Sequence, residues 1–181
     1  EKTAGDILKS FEEEASKNDA TTIAIRINGS DIPPEKIDES MNMELKDIDR
    51  IELTVLSKIQ VVESLKQAKG RFDELKEKMA DVPVALQSGR EKEANTIIAV
   101  LADAINEFCH TVTLSALFPD VYESLVIDGQ PINSFFEQFA PIVADFEESL
   151  KNGDSVTSGD LCEYEIAPRL EQISKCIEGL N

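Results

Sequence analysis

The chain contains one histidine, His110, and Glu107 precedes it by three residues. Glu-x-x-His on a helix aims both side chains at one point, the spacing by which di-iron helical bundles present ligands inward, but such a centre needs the motif twice. With no second histidine the pair falls a ligand short, and the reading is no metal and no cofactor. The same scarcity removes Ser-His-Asp and Cys-His pairings unless His110 alone is the base. Beside Phe108 and Cys109, His110 is expected to be a partly buried polar residue satisfied by a neighbour. Neither G-x-x-x-x-G-K nor G-x-G-x-x-G occurs, and the 8 glycines are scattered, so nucleotide chemistry is not indicated. The 36 acids supply carboxylate pairs by chance, so finding one says little about acid-base catalysis. The chain reads as a non-enzyme.

Cys109, Cys162 and Cys176 all lie in helix-like periodic segments, and 3 is a poor number for a disulfide framework. Their spacing does not match the close pairs of a zinc site. They read as small buried hydrophobes in a reducing, cytoplasmic setting. Because the first residue is Glu1 rather than Met, a trimmed upstream segment is expected, whether tag, initiator or signal peptide.

Lys plus Arg is 18 and Asp plus Glu is 36, a net charge of −18 over 181 residues. A surface that negative repels phosphate backbones and anionic headgroups, so neither nucleic acid nor membrane is an expected partner. On the sequence, no apolar stretch is expected to approach the roughly 18 residues of a membrane span. The charge is also segregated. Residues 57–92 carry eight bases against six acids, whereas residues 93–168 carry fourteen acids and the single base Lys151. Within the acidic half, Asp145, Glu147 and Glu148 close one helical segment, where negative charge opposes the helix dipole and structure alone gives no reason for it. Asp160 and Glu163 open the next, where the dipole favours them.

The elements that must position these groups fall into two parts. Residues 1–57 read as a small α-β-α-β module. Thr3 and Asp6 form an Asp variant of the capping box, and Ala4, Ile7, Leu8, Phe11 and Ala15 share one helical face. Thr21 to Asn28 alternate as a strand with Ile23, Ile25 and Ile27 on one side, and Asn28-Gly29-Ser30 turns the chain. Pro33-Pro34 precede a short helix, and Ile51, Leu53 and Val55 mark a second strand. A connection of that length reads as a crossover rather than a tight hairpin. Two strands leave open edges, to be closed by a homodimer, a partner strand or a strand from residues 119–131.

Residues 58–181 read as an acidic antiparallel bundle of about four helices, which makes the fold mainly α, of the α+β class. Val61, Leu65, Ala68, Phe72, Leu75, Met79 and Val82 step by fours and threes, a seam that also offers a dimer contact over 58–82, with Gly70 weakening it. A second helix carries Ala94 to Val112, a third Ile132 to Leu150, and a fourth, after Gly153 to Gly159, Leu161 to Ile177. Pro83 and Ser88-Gly89 mark a break, Asp128-Gly129-Gln130-Pro131 a loop, and Pro141 and Pro168 are expected to kink or interrupt their helices. Phe135 and Phe136 point about 100° apart, so one of them, taken as Phe135, is expected to line a groove or interface.

The stretch Gly159-Asp160-Leu161-Cys162-Glu163-Tyr164-Glu165-Ile166-Ala167-Pro168, with the strand ending Ile27-Asn28-Gly29, resembles bacterial hypothetical proteins that close on Asp-x-Leu-Glu-Tyr-Glu-x-x-Pro. The resemblance implies no activity. It implies a helix start at Asp160 and a structural role for Tyr164. The functional expectation is a non-enzymatic adaptor or chaperone-like module presenting Asp145, Glu147, Glu148, Asp160, Glu163 and Phe135 to a basic protein partner. The alternatives are an acidic nucleic-acid mimic and, less favoured, a metal-dependent bundle enzyme using Glu107 and His110.

Overall fold

The computed structural model describes residues 2–180 and is mainly helical with a small sheet. It divides into two compact units, Glu1–Val61 and Val62–Asn181.

In the first unit, helix α1 (Ala4–Lys17) starts at the expected capping box. Thr3 Oγ1 accepts from the Asp6 N–H at 3.3 Å and the Thr3 N–H donates to Asp6 Oδ2 at 3.2 Å. Both bonds satisfy amides that no helical carbonyl reaches. Strand β1 (Ala20–Ile27) follows, then β2 (Ser30–Asp31), the short helix α2 (Ile37–Met41) and β3 (Ile51–Ser57). Asn28 and Gly29, at φ +50° and +81°, form the two-residue loop of a β1–β2 hairpin, a left-handed geometry that Asn and Gly tolerate. The sheet order is β2-β1-β3, and β1 is antiparallel to both neighbours. The long connection is a crossover, as expected, but it leaves from β2 rather than β1 and joins the parallel strands β2 and β3 on either side of β1, because the tight Asn28-Gly29 turn reverses the chain first. The Asn28 carboxamide anchors its far end, accepting from the Asp49 and Arg50 N–H groups at 2.8 and 3.1 Å.

Ile25 and Ile27 pair with Leu53 and Ile51 as the alternation requires, but the register shifts between Thr22 and Ala24. Ile23 occupies that bulge and is 44% exposed, so the apolar face ends one residue earlier than strict alternation implies. The core of this unit is thin, comprising Ala4, Leu8, Ala15, Ile27 and Val61.

Helix α3 (Lys58–Lys78) begins in the first unit and continues into the second. The second unit then contains α4 (Asp81–Gln87), α5 (Glu91–Ser115), α6 (Pro119–Ser124), the hairpin β4 (Val126–Ile127) and β5 (Gln130–Pro131), α7 (Ile132–Lys151), α8 (Ser155–Asp160), a π-helical segment (Leu161–Ile166) and α9 (Ala167–Glu178). Leu65, Phe72, Leu75, Met79 and Val82 are buried as the four-three spacing requires. The seam is nonetheless cut at Lys78, and Val82 belongs to α4. Pro83 lies in the first turn of α4 rather than at a break, because first-turn amides need no helical acceptor. An aromatic chain links three helices: Phe72 of α3 meets Phe108 of α5 edge-on at 5.3 Å, and Phe108 meets Phe136 of α7 at 5.8 Å.

The 119–131 stretch adds no strand to the first sheet. Asp128 and Gly129, at φ +51° and +76°, fold it back on itself as β4–β5. The fourth expected helix also starts earlier, at Ser155, with Asp154 as its cap: Asp154 Oδ1 accepts from the Thr157 N–H at 3.0 Å. Asp160 is the last residue of α8 rather than a helix start, so the dipole does not account for it.

Candidate functional site

The residues named from sequence gather on α7 and on the α8–π segment that follows. Helix α7 buries Ile132, Phe135, Phe139 and Phe146, an i, i+3, i+7, i+14 stripe that fixes its outer face. Pro141 lies within α7 and is exposed, so water can reach the Glu137 carbonyl that its missing N–H leaves unpaired. Phe135 is 6% exposed and packs against Phe139 at 5.5 Å, which removes it from any surface; Phe136 is the more exposed of the adjacent pair. The reason is rotational, since the Ile132–Phe139 line runs through Phe135.

Asp145, Glu147 and Glu148 are exposed near the end of α7. Glu147 bonds Lys151 Nζ at 2.7 Å, one turn on, and that hydrogen bond holds its carboxyl below the ordinary range. Asp145 and Glu148, three residues apart on the same face, pair with no Lys or Arg among the described residues. The chain then turns through Gly153, at φ +67°. Ser149 Oγ and Ser158 Oγ, both buried, lie 2.8 Å apart and pin α8 back against α7. Gly159 is buried against Pro83, where an added Cβ would lie 2.9 Å from the proline Cβ.

Beyond α8 the chain widens into the π-helical turn. Pro168 cannot donate to the Tyr164 carbonyl, and a turn wound i to i+5 needs no such bond. This turn buries Cys162 and Ile166 and presents Glu163 and Tyr164 outward, next to the exposed Asp160 that ends α8. Tyr164 is 64% exposed, so the structural role implied for it is corrected. The carboxylate of Glu163 raises its phenol, with Asp160 contributing.

Among the described residues, cations match several acids of the 93–168 stretch, including Glu93 by Arg90, Glu107 by Arg71, Glu147 by Lys151 and Glu165 by Arg169. Asp145, Glu148, Asp160 and Glu163 are exposed and have no such partner among the described residues. The Arg71–Glu107 pair reaches from α3 to α5 along a polar groove of about 470 Å³ that includes His110. His110 is exposed, not half-buried as expected, because it lies two residues past core Phe108 on the opposite side of α5. Among the described residues no three His, Cys, Asp or Glu side chains gather as a metal site would require. The cysteines are free; burial pushes the Cys162 thiol up to about 12 and raises Cys109 and Cys176.

A feature that the sequence does not announce adjoins the acidic face. The start of α5, the end of α4, the end of α7 and α8 enclose a cleft of about 360 Å³, lined by Leu86, Glu91, Asn95, Leu150, Gly153 and Ser158. Its wall residues span more than seventy positions, so no local spacing marks it. Helix α5 itself is long and apolar enough, by length and composition, to cross a membrane, with mean hydropathy 1.4 over its best window, of which 22% is buried. That corrects the sequence-based view that no stretch approaches this length. Here α5 supplies Leu101, Ala104, Phe108 and Val112 to the core.

Residues 1–57 match the family model described as the TP0873 N-terminal domain. The chain is 26% identical over 174 residues to an uncharacterized protein of Treponema pallidum (strain Nichols), covering 96% of this chain and 86% of that protein. This is in keeping with the bacterial resemblance seen in the closing segment. No solved structure matches the chain. Residues 63–176, most of the second unit, match the model described as a domain of unknown function (DUF8042), and the chain belongs to that family.

Proposed function

We propose that the protein is a non-enzymatic, cytoplasmic interaction module, an adaptor or chaperone-like protein, whose second unit presents an acidic surface to a basic protein. The observation that carries this reading is the set of exposed carboxylates without cation partners, Asp145, Glu148, Asp160 and Glu163, on two elements joined by a three-residue loop and pinned by the Ser149–Ser158 contact. Glu147 contributes less, since Lys151 already offsets it. Unpaired like charges held on neighbouring elements cost stability, and a cationic surface relieves that cost while accelerating encounter. In this reading residues 58–181 act as an antiparallel bundle of about four main helices, α3, α5, α7 and the α8–α9 run. Residues 1–57 form a separate module for positioning or self-association.

The test is affinity capture from cell extract with the full chain as bait at low salt. Basic proteins are expected to be retained and to elute as salt rises, because screening shortens the reach of exposed charges to about 3 Å near 1 M. The Asp145→Lys/Glu148→Lys variant should retain far less. An identical set of proteins on both baits, released at no particular salt, overturns the reading.

A further inference from the structure

We propose that the cleft between α4, α5, α7 and α8 is the pocket that receives a single arginine or lysine side chain of the basic partner. This rests on the acidic-surface reading and names the anchor within it. Three features of the cleft support the assignment. Its volume of about 360 Å³ is at the low end of small-ligand sites, enough for one long side chain and too little for a folded element. Its lining is amphipathic in the way such a side chain is, with Leu86 and Leu150 to cover a methylene stem and Glu91 to receive the charged head. Asn95, one turn beyond Glu91 on α5, adds a carboxamide acceptor, and Ser158 a hydroxyl.

The charges nearby fit as well. Arg90 bonds Glu93 at 2.7 Å, which leaves Glu91 with no Lys or Arg partner among the described residues. The wall formed by Leu150 and Ser158 belongs to the two elements that carry Asp145, Glu148 and Asp160, so a cation steered by that face arrives beside the cleft. Interfaces concentrate affinity in a few anchors seated in pockets, arginine prominent among them, while the surrounding charges set encounter rate. A guanidinium fits this lining better than an ammonium, because it can bond a carboxylate with two parallel N–H groups and still donate to an amide.

The experiment is an amide NMR titration of the full chain with two probes, acetyl-hexaarginine-amide and its neutral hexacitrulline isostere. For wild type with hexaarginine, saturable shifts are expected at the Asn95, Gly153 and Ser158 amides. Glu91→Gln should weaken that binding by about tenfold, equivalent to about 1.4 kcal/mol. Asn95→Lys, which offers Glu91 an internal cation one turn away on an exposed helix face, should weaken it comparably without threatening the fold. If hexaarginine binds but those amides stay still and both variants bind like wild type, the cleft assignment is overturned while the acidic surface stands. If hexaarginine binds no better than hexacitrulline, the acidic-surface reading fails and the cleft assignment with it.

Discussion

The same substitution, glycine to alanine, should have opposite signs at Gly70 and Gly159. Gly70 lies inside α3, and an alanine Cβ there meets nothing within 4 Å. Alanine is a better helix former by about 0.8–1 kcal/mol, chiefly because glycine's extra backbone freedom is lost on folding, so Gly70→Ala should stabilise by roughly that amount. At Gly159 the same gain is opposed by a contact. The new Cβ would lie 2.9 Å from the Pro83 Cβ, and both atoms are fixed to backbone, so neither can rotate away. Relief requires α8 and α4 to separate by several tenths of an ångström, which loosens the buried Ser149–Ser158 pair as well. Overpacking of this kind costs about 1–3 kcal/mol, so after subtracting the propensity gain the net expectation is a loss of about 0–2 kcal/mol, centred near 1. Urea unfolding followed by far-UV circular dichroism reads both variants as shifts in midpoint at constant slope. Gly70→Ala should move the midpoint up and Gly159→Ala down or not at all. Stabilisation of equal size at both positions would refute the close approach of α4 and α8, and with it the placement of Asp160 and the cleft.

Two further predictions concern titrating groups. Cys162 is buried with its thiol pushed up to about 12, so iodoacetamide at neutral pH should label Cys109 and Cys176 first and Cys162 only in denaturant, as read by peptide mass spectrometry. Glu12 on α1 accepts from Thr21 Oγ1 at 2.9 Å and from the Thr22 N–H at 3.2 Å, and its bonds from Thr22 and Thr21 lower its pKa below the ordinary 4.5. The folded state therefore binds fewer protons than the unfolded one. The resulting stability is present above 4.5 and fades as pH falls through the lower folded value. Glu12→Gln should flatten that acid limb in thermal melts of the chain, and an unchanged limb would count against the α1–β1 contact.

The sequence disclosed most where one local signal decides the outcome. The Thr3–Asp6 cap, the Ile25–Ile27 alternation and the four-three spacing of Leu65 to Val82 each depend on neighbours within a few residues, and each appears in the structure. Asn28-Gly29 and Asp128-Gly129 are both suited to two-residue hairpin loops: the first turns the chain as the sequence indicates, whereas the second closes the β4–β5 pair where the sequence indicates only a loop. Other features depend on contacts distant in sequence. The bulge at Ile23 answers to β3, the burial of Phe135 to the neighbours of α7, and the exposure of His110 to the direction in which Phe108 is held by Phe72 and Phe136. Charge counting located the acidic half but not its ion pairs, since Arg71 reaches Glu107 across 36 positions. The cleft around Glu91 left no trace at all, because its walls meet only after folding.

The central claim is that carboxylates on the α7 and α8–π face steer a cationic partner. Its most direct test is the association rate of the captured partner with wild type and with Asp145→Lys/Glu148→Lys, measured by stopped flow across ionic strengths from about 0.01 to 1 M, where the screening length falls from roughly 30 to 3 Å. The account predicts a steep fall in the wild-type rate with salt, a much shallower slope for the variant, and rates that converge at high salt. Equal rates and slopes for the two proteins would contradict it.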